Sequence, residues 1–269
     1  MADHNPKDII ERTQRFLKQQ REIFGDFNVD SSLITPENSN TDFENNKEQQ
    51  SETLANEEQV LTDLSPPVAL DTSLSQQDLI ANCSTLEELR ALCETAEELR
   101  TDLENTNLVF GVGNPDADLM IVGEAPGMNE DLQGEPFVGK AGQLLDKIMG
   151  AIDFKRSDIY IANILKHRPP NNRDPKPEER QRSLPYLLRQ IEIVNPKLIL
   201  CVGRISATTL LGKDLSLKQM RQKYHAFLER ELMVTYHPAA LLRNPQWKRP
   251  TWEDVQMLRA RYTELGGKS

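Results

Sequence analysis

The sequence predicts an α/β fold of three layers, in which helices cover both faces of a central parallel sheet of four strands. The first observation is that short apolar runs alternate with helix-like segments from about residue 118 onward, as in parallel strands joined by helices. The second is that 269 residues with 38% apolar content can bury one sizeable core. We expect residues 81–269 to form this domain and residues 1–80 to form a largely disordered tail before it.

The N-terminal tail combines one apolar period with a long polar stretch. Residues 8–24 place Ile10, Leu17 and Phe24 seven residues apart, which predicts a short amphipathic helix and leaves room for a protein partner. From residue 25 to about residue 77, Asn, Ser, Thr, Gln, Glu and Asp dominate and there is little periodicity. This composition predicts a disordered, acidic linker because it offers too little apolar surface for a core.

The first helix of the domain is predicted to begin at Ser84. The Ser84 hydroxyl can accept a hydrogen bond from the first helical turn, and Glu87 stands three residues later, as in a capping box. The apolar stripe of this predicted helix comprises Leu86, Leu89, Leu92, Ala96 and Leu99.

Four apolar runs predict the parallel strands, at residues 118–123, 158–163, 197–203 and 231–237. Helices are predicted between and after these strands, at residues 140–151, 177–194, 204–212 and 251–264. In such sheets ligands bind outside the carboxyl ends of the strands. Each strand delivers a distinctive residue or turn at that end, namely the sequence GEAPG, Asn163, the dipeptide GR and His237.

Charge is unevenly distributed along the chain, whose formal net charge is −10. Residues 166–269 contain 20 Lys and Arg against 10 Asp and Glu, so the C-terminal part is basic. A basic region suits a polyanion such as DNA, although runs of charge usually form solvated surfaces.

Cysteine usage and hydropathy bear on the compartment. The three cysteines, Cys83, Cys93 and Cys201, form no CxxC pair, which indicates a reducing compartment rather than a disulfide scaffold. No stretch approaches the roughly 20 apolar residues of a membrane span, and the first residues do not resemble a secretory signal. We therefore expect a cytoplasmic protein without membrane association.

The segment after the first strand gathers carboxylates in a glycine-rich context. Glu124, Glu130 and Asp131 fall at the same predicted sheet edge, and four glycines nearby let the backbone approach a ligand closely. Such a cluster suits a metal ion, a transition state with positive charge, or the activation of a water molecule. The glycine spacing does not match a dinucleotide-binding fingerprint.

Four stretches of the chain resemble, in order and spacing, the motifs of type-4 uracil-DNA glycosylases. They are VGEAPGMNEDLQGEPFVGKAGQLLD, IANILKHRPPNNRDPKPEE, QIEIVNPKLILCVG and TYHPAALLRNP, and the resemblance runs from about residue 103 to residue 258. It implies the uracil-DNA glycosylase fold and an enzyme of base-excision repair, which hydrolyses the N-glycosidic bond of deoxyuridine and leaves an abasic site. Residues 1–80 lie outside the resemblance.

The resemblance implies a role for several residues of these motifs. Glu124 would orient the attacking water or stabilise positive charge on the sugar, with Glu130 and Asp131 in support. Phe137 would stack on the flipped base. Asn163 would read the uracil edge, with its amide oxygen facing N3–H and its nitrogen facing O4.

Further residues complete the site that the resemblance implies. His237 would donate a hydrogen bond toward O2 of uracil and stabilise the anionic leaving base. Gly123 and Ala125, in the first motif, belong to the same uracil-binding set.

Residues near these motifs are predicted to contact DNA. Leu241 and Leu242 are candidates for a wedge that fills the gap left by a flipped nucleotide, with ordinary helix packing as the alternative. Arg168, Arg173 and Arg243 are predicted to contact phosphates, which position DNA without specifying its sequence. The expected substrate is uracil in single- or double-stranded DNA, and the expected enzyme is a monomer.

The chain departs from the family at the four positions where type-4 members carry the cysteines of an iron-sulfur cluster. Aligned on the sequence VFGVGNP, these positions hold Ala96, Leu99, His167 and Ser183. Such a cluster is normally held by several thiolates, so one His among Ala, Leu and Ser cannot replace them. We expect no cluster and no other cofactor, with helix packing in its place.

Three alternatives remain at this stage. The chain could be a non-catalytic or weakly catalytic relative that binds DNA, although Glu124, Phe137, Asn163 and His237 all stand where the resemblance expects them. It could be a relative that traps uracil-DNA covalently, although no basic insertion follows the strand that ends at Asn163. It could also be a nucleotide-binding protein on a similar sheet, which the acidic first motif makes less favourable.

Overall fold

A computed structural model of the chain describes residues 75–267. These residues all belong to a single unit. The amphipathic helix predicted at residues 8–24 and almost all of the predicted linker lie outside the described residues. The predicted boundary between residues 80 and 81 falls within the first described helix, α1 (Gln76–Asn82).

A mixed sheet of six strands forms the centre of the described part of the chain. Its strands are β1 (Val112–Gly113), β2 (Leu119–Gly123), β3 (Tyr160–Asn163), β4 (Leu198–Val202), β5 (His225–Phe227) and β6 (Arg230–Thr235). They are arranged in the order β1-β3-β2-β4-β6-β5. The four inner strands are parallel, as predicted, whereas the short edge strands β1 and β5 pair antiparallel with β3 and β6. The sequence analysis missed both edge strands.

Helices cover both faces of this sheet. After α1 they are α2 (Leu86–Thr95), α3 (Met128–Gln133), α4 (Lys140–Gly150), α5 (Pro177–Val194), α6 (Arg204–Leu211), α7 (Leu217–Met220), α8 (Pro238–Arg243) and α9 (Lys248–Glu264). Short 3₁₀ turns occur at Glu97–Leu99, Arg156–Asp158, Pro170–Asn172 and Pro245–Trp247. The predicted helices correspond to α2, α4, α5, α6 and α9.

The start and end of α2 differ from the prediction. Its N-cap is Thr85, whose hydroxyl accepts a hydrogen bond from the Glu88 N–H, while the Glu88 carboxylate accepts bonds from the backbone at residues 84 and 85. The capping box is therefore one residue later than the predicted Ser84–Glu87 pair. The helix also ends at Thr95, so Ala96 and Leu99 belong to the turn that follows it.

Two apolar clusters fill the space between the sheet and its helices. Side chains of β2 alternate between them, because successive residues of a strand point to opposite faces. Leu119 and Ile121 join the cluster that includes α4 and α9, whereas Met120 and Val122 join the cluster that includes α5 and α6. All five residues of β2 are buried, which explains why its sequence is a continuous apolar run.

A third apolar cluster lies away from the sheet, between α1, α2 and α5. It contains Ile80, Leu89 and Tyr186, together with two of the predicted cluster-ligand positions, Ala96 and Leu99. Within residues 75–267, no helix combines the length and the hydropathy that a membrane crossing requires.

Candidate functional site

A cavity of about 350 Å³ opens at the carboxyl ends of β2, β3 and β6. The parallel pairing of β2 and β3 sets Gly123 directly beside Asn163, and His237 follows the end of β6 by two residues. We call this space the rim cavity. It is lined by Glu124, Ala125, Pro126, Gly127, Glu130, Phe137, Ala141, Asn163, Pro169, Asn172, Arg173, Asp174, His237, Ala239 and Arg243.

Asn163 lines this cavity, and its amide oxygen is unpaired. The residue is 2% exposed, and its Oδ1 atom is buried without a hydrogen-bond partner among the described residues. Leaving a buried acceptor unpaired costs about 1–3 kcal/mol. An orphan acceptor at a cavity wall is therefore suited to a ligand that donates a hydrogen bond.

Gly123 makes room for this amide rather than lining the cavity itself. A Cβ atom at Gly123 would collide with Asn163 Oδ1 and would lie 2.6 Å from Cζ of Phe137. No side chain fits at this position unless the amide and the ring both move. Ala125, the other small residue predicted for the site, does line the cavity.

Phe137 forms an aromatic wall of the cavity. It is 5% exposed, and its ring centroid lies 5.5 Å from that of His237, with the planes tilted by 32°. Its backbone φ is 56°, a conformation that is strained for a bulky residue and costs on the order of 1–3 kcal/mol. Strain of this kind persists where the surroundings fix the side chain in one place.

His237 is held as a neutral imidazole with a defined tautomer. It caps α8, and the Ala239 N–H donates to its Nδ1 atom at 3.2 Å. Burial, reinforced by the positive charge of Arg243, lowers the pKa of His237 to about 4. Since Nδ1 accepts a hydrogen bond, the proton of the neutral ring lies on Nε2, which is then a hydrogen-bond donor.

Glu124 is a carboxyl group whose pKa is shifted toward neutrality. Burial is the main cause and the negative charge of Asp174 adds to it, so the pKa of Glu124 rises to about 7 against an opposing effect of Arg180. The Glu124 carbonyl accepts a hydrogen bond of 3.0 Å from the Leu165 N–H. A carboxyl with this pKa can act as an acid or a base at neutral pH.

Glu130 lines the cavity, but its oxygens bind the backbone. One oxygen accepts hydrogen bonds from Val138 and Gly139, at 3.0 and 2.9 Å, and the other accepts from Gly127 at 3.2 Å. Glu130 thus joins the loop before α3 to the loop that carries Phe137.

Asp131 lies outside the cavity lining, contrary to its predicted place among the catalytic carboxylates. Its Oδ1 atom accepts a hydrogen bond of 2.7 Å from the Asn107 N–H, and its carbonyl accepts one of 2.8 Å from the Asn107 amide. Its carboxylate faces a neighbouring loop because it follows Glu130 on α3, and successive helical residues face different directions.

Arg173, which is predicted to contact a phosphate, binds carboxylates of the protein through its guanidinium. It donates to both oxygens of Glu179, at 2.8 and 2.6 Å, and to Asp102 at 3.1 Å. This bidentate pairing neutralises its charge. Arg168 is partly exposed and donates from Nε to Oδ1 of Asn172 at 2.7 Å.

The two leucines predicted as a wedge have opposite environments. Leu241 is fully buried in the cluster with α4 and α9, the packing that was the alternative to a wedge. Leu242 is 49% exposed, and the neighbouring Arg243 is exposed and lines the cavity. The two leucines are adjacent on α8, so a leucine that packs inward is followed by one that points outward.

Two residues near Glu124 were not singled out by the sequence analysis. Asp174 lines the cavity and raises the pKa of Glu124, whereas Arg180 lowers that pKa. The only available signal was their proximity to the sequence NNRDP, which identifies a polar loop but not the direction of its side chains.

The four positions that correspond to cluster ligands do not offer a set of iron ligands. Ala96 and Leu99 pack in the third apolar cluster and have no donor atoms. His167 is 3% exposed, its Nδ1 atom lies 3.0 Å from Oγ1 of Thr106, and burial lowers its pKa. Ser183 is 1% exposed and contributes one hydroxyl. Thiolates are the usual ligands of such a cluster, and these residues do not fit it.

Comparison with known proteins gives consistent matches over the same part of the chain. A sequence model described as the uracil DNA glycosylase superfamily matches residues 110–256. A type-4 uracil-DNA glycosylase of Archaeoglobus fulgidus is 44% identical over 172 residues, covering 61% of this chain and 84% of the relative. Proteins of the same name from Sulfurisphaera tokodaii and Thermotoga maritima are 43% and 41% identical, and the matches cover 83% and 82% of their lengths.

Proposed function

Because the chain belongs to the type-4 family of the uracil DNA glycosylase superfamily, it is a DNA-repair hydrolase that excises uracil from DNA, and we propose that it does so in the rim cavity. The product is DNA with an abasic site. The finer proposal concerns which residues bind the base, which assist the bond cleavage, and which contact DNA.

The main support for the proposed base-binding residues is the buried amide oxygen of Asn163, which has no hydrogen-bond partner among the described residues. Uracil presents an N3–H donor beside the O4 acceptor, so one side-chain amide can satisfy both of these groups. Cytosine presents an N3 acceptor beside an amino donor. In the same orientation, the amide oxygen would face the N3 acceptor and the amide nitrogen would face the amino donor, so neither hydrogen bond could form. A buried acceptor rejects a base that lacks the matching donor, because its desolvation is then left uncompensated.

The remaining walls of the cavity suit a pyrimidine turned out of the DNA stack. Its volume lies at the lower end of the 300–1,000 Å³ that is typical of small-molecule pockets. The Phe137 ring offers a face on which the base stacks. His237 offers a neutral N–H donor, and its proposed role is to bind O2 as negative charge develops on the base.

The proposed reaction proceeds through a sugar with positive charge. The bond between C1′ and N1 breaks, and its electron pair remains on N1 of uracil. Glu124, in its ionised form, accepts a proton from the water that adds to C1′, and its negative charge stabilises the sugar. Hydrogen-bond donation by His237 stabilises the departing anion, and Glu130 acts indirectly by holding the loops around Gly127 and Phe137.

We propose that the enzyme functions without an iron-sulfur cluster. Type-4 members normally carry one, but Ala96 and Leu99 cannot bind iron, and the His167 ring already contacts Thr106. The proposed chemistry needs no redox centre, because hydrolysis transfers no electrons to or from a cofactor. Packing of apolar side chains around Ala96 and Leu99 supports the replacement of the cluster by a small core.

DNA is proposed to approach from the side of α8, since Leu242 and Arg243 are exposed there beside the cavity. Leu242 would occupy the space left by the flipped nucleotide, and Arg243 would bind a phosphate. Single- and double-stranded DNA are both proposed substrates, because unstacking a base costs least where it is already unpaired.

Incubation with a labelled oligonucleotide that contains one uracil, followed by alkali, tests the assignment. We expect strand cleavage at uracil by the native enzyme and a loss of about 100-fold or more with Asn163→Ala. An oligonucleotide with cytosine at the same position is the control. Intact DNA after treatment with the native enzyme would support the inactive relative, and a shifted band that resists detergent would support covalent trapping. An Asn163→Ala enzyme with native rate would remove that residue from base recognition.

A further inference from the structure

Lys166 is a buried lysine immediately beyond the strand that ends at Asn163. Its side chain is 0% exposed, although lysine is among the residues least often buried in proteins. The mechanism proposed above gives it no role. Burying an ammonium group destabilises a fold unless its donors are well satisfied, so the position calls for an explanation.

The three donors of this ammonium meet three uncharged oxygens within the described residues. Nζ donates to the main-chain carbonyl of Asn163 at 3.0 Å, to the carbonyl of Phe110 at 3.3 Å, and to Oε1 of Gln190. It also lies 5.9 Å from the centre of the Phe110 ring. The lysine side chain thus folds back on its own strand and binds the peptide group of the residue that faces the cavity.

Gln190, which accepts one hydrogen bond from Lys166, is itself held by two further hydrogen bonds. Its amide nitrogen donates to the Phe110 carbonyl at 3.0 Å and to the Tyr160 hydroxyl at 3.3 Å. Tyr160 begins β3 and Asn163 ends it. The buried network therefore ties both ends of β3 to α5 and to the loop before β1.

The turn between Asn163 and Lys166 also bonds the main chain at the end of β2, next to Glu124. Between Asn163 and Lys166, the Ile164 N–H donates to the Gly123 carbonyl at 3.1 Å and the Leu165 N–H donates to the Glu124 carbonyl at 3.0 Å. These two bonds anchor the turn to the end of β2, and the Lys166 ammonium then holds the Asn163 carbonyl from the other side.

We propose that Lys166 is a positioning residue for uracil recognition, which holds the main chain of Asn163 so that its unpaired amide oxygen faces the base. This proposal rests on the proposed role of Asn163, and it adds the Lys166 ammonium as the group that fixes the orientation of the Asn163 amide. Hydrogen bonds to a charged donor are stronger than those between neutral groups, so a lysine constrains this carbonyl better than a neutral side chain would.

Lys166→Met tests the proposal, because methionine is a similarly long unbranched side chain without the ammonium group. A misplacement on the order of 1 Å costs about 100-fold in rate, and we expect a loss of this order in uracil excision under single-turnover conditions. The affinity for DNA with an abasic site should stay unchanged, because that ligand has no base for Asn163 to bind. Weakened binding of abasic DNA in parallel with the rate would overturn the proposal.

A double-mutant cycle separates positioning from general support of the fold. If Lys166 acts through Asn163, the combined Lys166→Met and Asn163→Ala enzyme should be no slower than Asn163→Ala alone. The inference would be overturned if adding Lys166→Met slowed the Asn163→Ala enzyme as much as it slows the native enzyme. The proposed role of Asn163 would then still stand. A native rate for Asn163→Ala would overturn both.

Gln190→Leu gives a second route if Lys166→Met does not fold, since it removes one acceptor of the ammonium and leaves the lysine in place. We expect the same non-additivity with Asn163→Ala, and additive losses would overturn the proposal. Tyr186→Phe is the matched control, because it also removes a polar group from α5. The Tyr186 hydroxyl bonds Gln76 and Glu98 rather than Lys166 or Asn163. The excision rate of this variant should equal that of the native enzyme, and a loss as large as that of Gln190→Leu would also overturn the proposal.

Discussion

Burial shifts the pKa values of Glu124 and His237 in opposite directions, and both shifts favour the uncharged form. The pKa of the carboxyl rises to about 7 and that of the imidazole falls to about 4. Near pH 7 the site therefore contains a neutral histidine and a carboxyl that is close to half ionised. These are the protonation states that the proposed mechanism requires, provided that Glu124 has lost its proton.

The rate of uracil excision should rise with pH through about 7. Because the pKa of Glu124 is raised, the ionised form that accepts a proton from water is scarce at pH 5.5 and predominates at pH 7.5, which stays below the pKa of about 8 to which burial lowers Lys166. Single-turnover rates across this range measure the effect. Glu124→Gln should be slower by roughly 10²–10⁴-fold and should lose this pH dependence. Equal native rates at the two extremes would contradict the assignment.

Asn163→Asp should weaken the preference for uracil over cytosine. A buried carboxylic acid tends to stay protonated, and it then offers a donor and an acceptor that also match cytosine. We expect uracil excision to fall and measurable cytosine excision to appear, most clearly at low pH where the acid is neutral. The measurement is the ratio of the two rates in matched oligonucleotides, and an unchanged ratio would remove Asn163 from this role.

At the residue scale, the sequence could identify the residues of the site, but it could not predict the partners or the burial of every charged side chain. Asn163, Phe137 and His237 were identified by motif, and all three line the rim cavity. Arg173 looked free because one of its partners, Asp102, lies 71 residues away along the chain. Lys166 was not identified from the sequence, since its burial depends on how β3 packs against α5.

At the scale of elements, α8 combines packing with residues proposed to contact the base and DNA. His237 caps it, Leu241 anchors it in the core, and Leu242 and Arg243 project from its end. Long apolar runs and long helices were predicted within a few residues. The sequence did not predict α1, α3, α7, α8 or the two edge strands, because elements of two to seven residues show too little periodicity to detect.

Two neighbouring substitutions on α8 should have different consequences. Leu242→Ala should slow excision from double-stranded DNA more than from single-stranded DNA, because only a duplex leaves a gap to fill. Its melting temperature should match that of the native enzyme, since Leu242 is exposed. Excision assays on both substrates measure the effect, and equal losses on the two would contradict the wedge.

Leu241→Ala should instead lower the stability of the fold. Removing a buried leucine side chain costs about 2–5 kcal/mol, which thermal or denaturant unfolding would detect. Near-native stability for this variant would contradict the burial of Leu241.

At the scale of the whole molecule, the order of the strands gathers residues from distant parts of the chain. The chain passes from β2 to β3 on one side and then returns to β4 on the other, so the cavity lies where the strand order reverses. Open parallel sheets commonly bind ligands at such a point. The third apolar cluster packs against α5 and includes two of the four predicted cluster-ligand positions, Ala96 and Leu99.

The purified protein should be colourless and free of iron. Its cluster-ligand positions offer a single imidazole and a hydroxyl, which cannot replace the thiolates of an iron-sulfur cluster. Metal analysis and the visible spectrum measure this, and treatment with a chelator should leave the excision rate unchanged. A brown protein with near-stoichiometric iron would contradict the proposal.

The unpaired oxygen of Asn163 links occupancy of the cavity to resistance to heat. This acceptor is buried and has no partner among the described residues, and the proposed partner is the N3–H of uracil. A ligand that binds only the native state raises the unfolding temperature in proportion to the logarithm of its concentration. Free uracil, as the proposed ligand of Asn163, should therefore raise the melting temperature of the enzyme, and an Asn163→Ala enzyme should lose most of this effect.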